Sequence, residues 1–181
     1  MSSLTDAQQD MRSAYYNGAT GAVCSATAWL IAALVATFAT DQAGILTLIF
    51  GGMLIFPASV ILSKILGRAG QHAKANPLAP LAIGGTIWML LSIPIAIAVS
   101  LHRIEWFFPA MLLVIGGRYL TFPTLYGLKT YWLFGATLAL SVIPLIAFRA
   151  PVASGAFTGA LIEYLFGATL FATSQPPTAQ D

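Results

Sequence analysis

Charged residues are scarce in this sequence. Only 8% of its 181 residues are Asp, Glu, Lys or Arg, whereas a soluble domain carries about 25%. So few charges cannot cover a water-soluble surface, which excludes an ordinary soluble enzyme or binding domain. Hydrophobic residues make up 58% of the chain, and the mean hydropathy is +0.83. The composition therefore indicates an integral membrane protein, with the lipid bilayer as its main partner.

Cysteine and the common catalytic motifs are nearly or completely missing. Cys24 is the only cysteine, which excludes disulfides within the chain. The two histidines, His72 and His102, fall on opposite sides of the predicted membrane domain, which disfavours haem ligation by a pair in one layer. The sequence has no phosphate-binding loop, no Gly-x-Ser-x-Gly and no His-Glu-x-x-His motif. It predicts no metal, no cofactor and no nucleic-acid interface, and a membrane-embedded enzyme is the least favoured function class.

Six apolar runs are long enough to cross a bilayer, which takes about 20 residues per helix. We predict transmembrane helices at 18–40, 43–66, 80–101, 106–127, 131–148 and 152–173. The connections between them are too short to hold a soluble domain. The predicted fold class is therefore all-α, with one bundle of six transmembrane helices over residues 18–173.

The segment before the first run, residues 1–17, has the pattern of a short helix. Apolar residues recur at helical spacing at Leu4, Ala7, Met11, Ala14 and Tyr15. Thr5 and Gln8 match a capping box. The segment lacks the positively charged start of a signal peptide, so we expect it to remain and to lie along the cytoplasmic membrane interface. Residues 174–181 predict a disordered tail.

Basic residues are unevenly divided between the two sets of loops. With a cytoplasmic N-terminus, the inner side receives Arg12, Lys64, Arg68, Lys74 and Lys129. The outer side receives only Arg103 and Arg149. Because cytoplasmic loops carry an excess of Lys and Arg, we predict that both termini are cytoplasmic.

Two pairs of predicted helices share a motif, which indicates an internal repeat. The segment 51–57 in the second helix resembles 116–123 in the fourth. Residues 85 and 94 of the third helix, Gly and Pro, correspond to residues 135 and 144 of the fifth. Hairpins repeated in one orientation predict a parallel repeat. Chance similarity is the alternative, because Gly and Pro are common in transmembrane helices.

Glycine and proline also predict how these helices pack and bend. Gly155 with Gly159, and the pairs Gly51-Gly52 and Gly116-Gly117, allow close helix contact within one chain or between chains of a homo-oligomer. Prolines lie well inside four predicted helices, at Pro57, Pro94, Pro123 and Pro144. Each removes a backbone hydrogen bond and is expected to kink its helix. Four kinked helices can enclose a cavity, and simple packing of curved helices is the alternative.

Two opposite charges lie at matching depth in the predicted membrane domain. Arg118 and Glu163 are about 13 Å and about 15 Å from the inner ends of their helices, at 1.5 Å per residue. An unpaired charge at this depth is costly, so we expect the two side chains to meet. The alternatives are that Arg118 extends to the inner headgroups and that Glu163 is protonated, since desolvation favours a neutral carboxyl.

Three tyrosines lie near these charges in the sequence. Tyr119, Tyr126 and Tyr164 can each point a hydroxyl towards the pair while the ring packs against apolar neighbours. Together with Arg118 and Glu163 they form the predicted polar or substrate-binding site, in the inner half of the bundle. A purely structural pair that locks two helices together is the alternative.

Two parts of the chain, residues 50–82 and 116–133, carry a family resemblance. Its segments are Ile55-Phe56-Pro57, Leu62-Ser63-Lys64-Ile65-Leu66, Asn76-Pro77-Leu78, Gly117-Arg118-Tyr119-Leu120 and Tyr126 through Lys129-Thr130-Tyr131. They resemble an uncharacterised family of small bacterial membrane proteins, a domain of unknown function. The resemblance implies a six-helix, multi-pass protein of the bacterial inner membrane, and it implies no activity.

The sequence favours a small transporter or channel for a small solute or ion. This prediction rests on the kinked helices and on the polar groups near Arg118 and Glu163. The alternative is a non-transporting membrane module that binds lipid or a partner protein. The sequence does not indicate which small molecule, if any, is the ligand.

Overall fold

The computed structural model describes residues 3–174, which fold into helices and short connections without any strand. The helices are α1 (Leu4–Tyr15), α2 (Ala19–Phe38), α3 (Asp41–Ile65), α4 (Ala79–His102), α5 (Phe107–Tyr119), α6 (Phe122–Tyr126), α7 (Thr130–Leu140), α8 (Val142–Ala147) and α9 (Val152–Ala172). Short 3-10 helices occupy Tyr16–Gly18 and Ile104–Trp106. Apart from Ser174, the predicted C-terminal tail lies outside the described residues.

Six helical segments are long and apolar enough to span a membrane. These segments contain α2, α3, α4, α5 with α6, α7 with α8, and α9. The predicted all-α fold with six transmembrane helices is therefore confirmed. The first of these segments, Leu4–Phe38, also includes α1. The bounds of the helices that correspond to the predicted spans, with α2 for the first, differ from the predicted bounds by at most two residues, because the short polar connections leave little freedom in where each apolar run ends.

The helices form two groups that share α9. In the first group α2 packs along both α3 and α9, and in the second α5 packs against α4 and α7. Both α5 and α7 also contact α9. Helices α3 and α4 therefore lie at the edges of the bundle. Large apolar side chains are exposed along both, such as Phe50, Met53, Phe56, Trp88, Leu91 and Ile95, and a lipid bilayer is the solvent that suits such faces.

The core lies between α2, α5, α7 and α9. Its largest completely buried side chains are Trp29, Phe107, Phe108, Leu112, Phe134 and Leu138. α5 and α7 approach closely, since a Cβ added to Gly135 would lie 2.6 Å from the backbone oxygen of Gly116. The repeat prediction paired these two helices with α3 and α4. Within the described chain, however, α3 and α4 are not a closely packed pair, so the shared motifs do not correspond to a repeated packed hairpin.

The four intramembrane prolines have different effects on their helices. α3 contains Pro57 and α4 contains Pro94, and each remains a single helix. The chain breaks just before the other two, between α5 and α6 ahead of Pro123 and between α7 and α8 ahead of Pro144. At each break a hydroxyl donates to a backbone carbonyl, from Thr121 at 2.8 Å and from Ser141 at 2.7 Å. The accepting carbonyls belong to Arg118 and Leu138, three residues earlier in each case. Such side-chain bonds to nearby carbonyls compete with regular helical hydrogen bonding.

Helix α1 closes one end of the bundle, which we call the α1 end. Of the predicted apolar series, Ala7, Met11 and Ala14 are buried and Leu4 is exposed, and the helix packs against α6, α3 and α2. The capping box, however, is formed by Ser3 and Asp6, and not by Thr5 and Gln8. Ser3 lies directly before the first helical residue, Leu4, and its hydroxyl accepts from the Asp6 backbone N–H. The cap is therefore two residues earlier in the chain than predicted.

Candidate functional site

The buried carboxyl group of Glu163 is the centre of the candidate site. Glu163 lies on α9 and is completely buried. The side chains of Ser25 on α2 and Tyr119 on α5 face the carboxyl group closely enough to interact with it. Neither carboxyl oxygen has a hydrogen bond of normal length and angle to any described residue. The site therefore combines an ionisable group with two hydroxyls where α2, α5 and α9 meet.

Small residues on α9 explain why Glu163 is so deeply buried. A Cβ added to Gly159 would lie 2.6 Å from the ring of Trp29 on α2. A Cβ added to Gly155 would lie 2.7 Å from Phe108 on α5. The three helices approach this closely only because these positions carry no side chain. Glu163, four residues after Gly159, shares its helix face and is buried with it.

Trp29 adds a further polar atom to this region. Its ring is completely buried, 5.8 Å from the ring of Phe108. Its Nε1 has no hydrogen-bond acceptor among residues 3–174. Ser25 and Trp29 are four residues apart and so share one face of α2. Together with the two oxygens of Glu163, the region contains three buried polar atoms with unused hydrogen-bonding capacity.

Stacked aromatic rings connect the site with the α1 end. The ring of Tyr119 stacks on Phe134 at 4.0 Å between centroids. Tyr131 stacks with Tyr119 at 6.0 Å and with Tyr126 at 5.4 Å. The Tyr131 hydroxyl donates to the backbone carbonyl of Asn17 at 2.6 Å, just before α2 begins. A continuous series of tyrosines therefore runs from the first turn of α2 to Glu163.

Arg118 does not form the expected ion pair with Glu163. Its Nη2 donates to the Thr86 hydroxyl on α4 at 3.1 Å, and its Nη1 lies 3.6 Å from the sulfur of Met89. Its guanidinium carbon is 5.5 Å from the centroid of the Phe122 ring. The ion pair found in the described chain joins Arg103 to Glu105 at 3.2 Å, at the end opposite α1.

The direction of the side chains explains the missing pair. Successive residues of an α-helix point about 100° apart, since 3.6 residues complete a turn. Tyr119 points from α5 towards α9, and Arg118, one residue earlier, points towards α4. Matching depth along two helices therefore did not determine whether the two charges face each other.

The remaining predicted tyrosines take different places. Tyr126 is buried in α6, where its backbone carbonyl accepts from Arg12 at 2.6 Å. Tyr164 lies on another face of α9, and its hydroxyl shares a hydrogen bond of 2.9 Å with the hydroxyl of Thr27 at the exposed side of α2. Of the three predicted tyrosines, the structure brings Tyr119 to the carboxyl group of Glu163 and places Tyr164 elsewhere.

Sequence reasoning missed Ser25, Trp29 and Tyr131. One signal was available for Trp29, because tryptophan is enriched at membrane interfaces and this one lies in the middle of an apolar run. Its four-residue spacing from Ser25 would then have placed both on one face of α2. Nothing in the sequence distinguishes Tyr131 from an interfacial tyrosine. No group of three or more His, Cys, Asp or Glu within residues 3–174 is arranged to hold a metal ion.

A family model matches nearly the whole chain, residues 4–173, and it is described as a family of unknown function (DUF7010). The chain belongs to this family. The resemblance to an uncharacterised domain is thereby confirmed, and membership carries no activity to the site at Glu163. Comparison with curated proteins and with solved structures gives no match.

Proposed function

We propose that this protein is a carrier of a small solute across the membrane and that Glu163 binds and releases a proton during transport. The observation that supports the proposal is a completely buried carboxyl group, inside a membrane-spanning bundle, with neither an ion pair nor a normal hydrogen bond among the described residues. The charge of Arg118 acts on it only from beyond ion-pair distance. An ionisable residue within a membrane span is costly and commonly marks a path for ions, protons or substrate.

The protonation state of Glu163 can decide how the central helices pack. An unpaired carboxylate in a low-dielectric interior is so unfavourable that it binds a proton instead. Loss of that proton adds one negative charge, which the Ser25 and Tyr119 hydroxyls can stabilise only by turning towards it. A conformation that exposes the charge to water is then favoured. Proton binding thus shifts the population between two arrangements of the bundle.

Two of the central spans have a natural place to bend. The breaks between α5 and α6 and between α7 and α8 lie in the spans that contact α9. Hinges are commonly a few residues at the ends of helices. Tyr119 is the last residue of α5, so movement at its break would directly change the surroundings of the Glu163 carboxyl group.

A non-transporting lipid-binding module is the second candidate, and one surface recess favours it. One recess of about 440 Å³ lies between α2 and α3 and is lined by Ala28, Ile31, Leu46, Thr47, Phe50, Gly51 and Leu54. Its lining is almost entirely apolar and faces the surrounding lipid, which suits an acyl chain. Another recess of about 470 Å³ lies at the end opposite α1, near Asp41, Glu105 and Arg149. Neither recess includes Glu163 or Arg118.

Infrared spectroscopy of the protein in lipid tests the protonation of Glu163. We expect the carbonyl stretch of a protonated carboxylic acid at neutral pH, its loss as the pH rises, and its absence from Glu163→Gln. The matched control is Glu105→Gln, because Glu105 lies at the opposite end beside Arg103. A spectrum of Glu163→Gln identical to that of wild type would contradict a protonated Glu163.

Two further measurements separate the carrier from the module. In liposomes with a trapped pH indicator, a gradient of the transported solute drives proton movement in wild type and not in Glu163→Gln. If Glu163 serves transport, Glu163→Leu is as stable as wild type or more so, since removal of an unsatisfied buried group recovers about 1–3 kcal/mol. If the carboxyl group serves only to hold helices together, Glu163→Leu lowers the unfolding temperature and no solute moves protons.

A further inference from the structure

We propose that Arg118 forms a binding site for an oxyanion, such as a phosphate group, in the groove between α4 and α5. The phosphate can belong to a lipid headgroup or to a small solute. Only the second source rests on the proposed transport function.

Arg118 forms no ion pair with another side chain of residues 3–174, and it interacts with the carboxyl group of Glu163 only from beyond ion-pair distance. Its polar contacts are the Thr86 hydroxyl and the Met89 sulfur, both uncharged. The carboxylates of residues 3–174 do not form an ion pair with Arg118. Asp6 bonds to Ser3, Asp10 to Asn76 and Glu105 to Arg103. Asp41 lies at the end opposite α1, and Glu163 has no ion pair. An arginine stays charged in any protein environment, so an external anion that reaches the guanidinium group would meet a positive charge without a direct counter-ion.

The guanidinium group also keeps hydrogen-bond donors for such an anion. Arginine has five N–H donors in a planar fork. One donates to Thr86, and the contact with Met89 involves only a weak acceptor. The Nε atom is buried and has no acceptor among the described residues, so the donors left for an anion are the second N–H groups of Nη1 and Nη2. A planar fork with unused donors matches the paired oxygens of a phosphate or carboxylate group.

Thr86 holds the guanidinium group in a defined orientation. Its hydroxyl donates to the Ala82 backbone carbonyl at 3.1 Å and accepts from Arg118. The hydroxyl proton is therefore already used, and the oxygen acts as a fixed acceptor. Phe122 lies against the guanidinium group, with 5.5 Å between the guanidinium carbon and the ring centroid. Two neighbours thus position the fork before any anion arrives, which reduces the entropy lost on binding.

Gly85 lies beside Arg118, and the neighbouring Gly84 and Gly117 face open space at the edge of the bundle. A Cβ added to Gly84 or to Gly117 would meet nothing within 4 Å. A Cβ added to Gly85 would be in ordinary contact, at 3.8 Å, with Arg118 and with the Thr121 hydroxyl. Arg118 itself is half-buried. An anion can therefore approach the guanidinium group from the edge of the bundle.

The depth of the site indicates which anions can reach it. Thr86 and Met89 follow the first residue of α4, Ala79, by seven and ten residues, which corresponds to about 10 and 15 Å at 1.5 Å per residue. The guanidinium group therefore does not extend to the membrane surface at the α1 end. A lipid phosphate has to be drawn inwards to meet it, whereas a small solute has to enter the groove.

Binding measurements in nanodiscs test both sources of the anion. In the lipid arm, nanodiscs contain phosphatidylcholine with or without phosphatidylglycerol, and native mass spectrometry counts the phosphatidylglycerol molecules that the protein retains. In the solute arm, inorganic phosphate is titrated into phosphatidylcholine nanodiscs against chloride at equal ionic strength, and the unfolding temperature is recorded. Wild type is expected to bind in at least one arm, and that arm identifies the source.

Arg118→Gln is expected to weaken the observed binding by about tenfold or more, since it removes charge-assisted hydrogen bonds. The matched control is Lys129→Gln, because Lys129 is an exposed cation at the α1 end, and it is expected to bind like wild type. Thr86→Val keeps the charge of Arg118 but removes the hydroxyl that orients it, so it is also expected to weaken binding. It replaces Arg118→Gln in the comparison if Arg118→Gln does not fold.

The inference is overturned if wild type binds the anion in neither arm. It is also overturned if Arg118→Gln binds the anion as tightly as wild type. If Arg118→Gln does not fold, the same comparison is made with Thr86→Val. Glu163→Gln is expected to retain anion binding. If the protein binds the anion but moves no protons with any solute, the proposed carrier function is overturned and the anion site is not. If Glu163→Gln lacks the carboxylic acid band but the wild-type protein binds no anion, the anion site is overturned and the protonation of Glu163 is not.

Discussion

At the scale of single residues, glycine decides how closely the central helices approach one another. Gly116 on α5 faces Gly135 on α7, and a Cβ added to Gly116 would lie 2.8 Å from the Gly135 backbone oxygen. The next residue, Gly117, has open space where its Cβ would be. Two adjacent glycines of one motif therefore have different roles, since only the first lies in the helix contact.

We predict that Gly116→Ala lowers the free energy of unfolding by about 1–3 kcal/mol, the usual cost of overpacking a close contact. Gly117→Ala is the matched control and is expected to be neutral or to stabilise the helix by up to about 1 kcal/mol, because alanine has the higher helix propensity. Thermal unfolding of the purified variants in detergent measures both. Equal stability of the two variants would show that α5 and α7 do not make this contact.

The candidate site was only partly predictable at this scale. Glu163 and Tyr119 were selected from the sequence because a carboxyl group and a nearby hydroxyl are unusual in apolar runs, and the structure brings them together. Arg118 was selected for the same reason, and its partner was wrong, since it contacts Thr86 instead of Glu163. Depth follows from counting residues, whereas the facing direction depends on how each helix is rotated in the bundle.

At the scale of elements, α1 is tied to the loops at its end of the bundle by several hydrogen bonds. The Asn76 side chain donates to the Ala7 carbonyl at 3.0 Å and to the Asp10 carboxylate at 2.7 Å. Gln8 donates to the Thr124 carbonyl at 2.9 Å. These bonds join α1 both to the connection between α3 and α4 and to α6. Helix α1 is therefore part of the packed bundle at this end.

We predict that Asn76→Ala loosens α1 without unfolding the bundle. The variant loses both hydrogen bonds to α1, one of them to a carboxylate, and also the bond that the Leu78 backbone N–H donates to Asn76 Oδ1 at 2.9 Å. Bonds to charged groups contribute about 1.5–3 kcal/mol. Amide hydrogen exchange over residues 4–15 is expected to become faster, while exchange in α5 and α9 stays as slow as in wild type. Lys74→Ala, at an exposed position in the same loop, is the control, and faster exchange in both variants would argue against a specific role of Asn76.

At the scale of the whole molecule, the distribution of charge predicts the orientation in the membrane. Arg12, Lys64, Arg68, Lys74 and Lys129 all belong to the α1 end, and Arg103 and Arg149 belong to the opposite end. The six spans place the start of α1 and the end of α9 at the same end. By the positive-inside rule, we predict that this is the cytoplasmic end.

Labelling of single cysteines tests this orientation. In a Cys24→Ala background, Lys74→Cys is expected to react with a membrane-impermeant maleimide only in inside-out vesicles. Arg149→Cys, at the exposed connection between α8 and α9, is expected to react only from the other side. The reverse pattern would place the α1 end outside the cytoplasm, and it would leave the fold itself unaffected.

The amino-acid sequence by itself determined the number of spans, their ends within two residues, and the existence of buried ionisable groups. These follow from the length and hydropathy of each run, because a bilayer requires a certain length of apolar helix whatever its neighbours are. Only the tertiary structure decided which helices touch, which prolines lie at breaks, and that Arg118 and Glu163 face different neighbours. Those outcomes depend on the rotation of each helix about its axis, which is determined by contacts such as Gly159 with Trp29 between residues far apart in the chain.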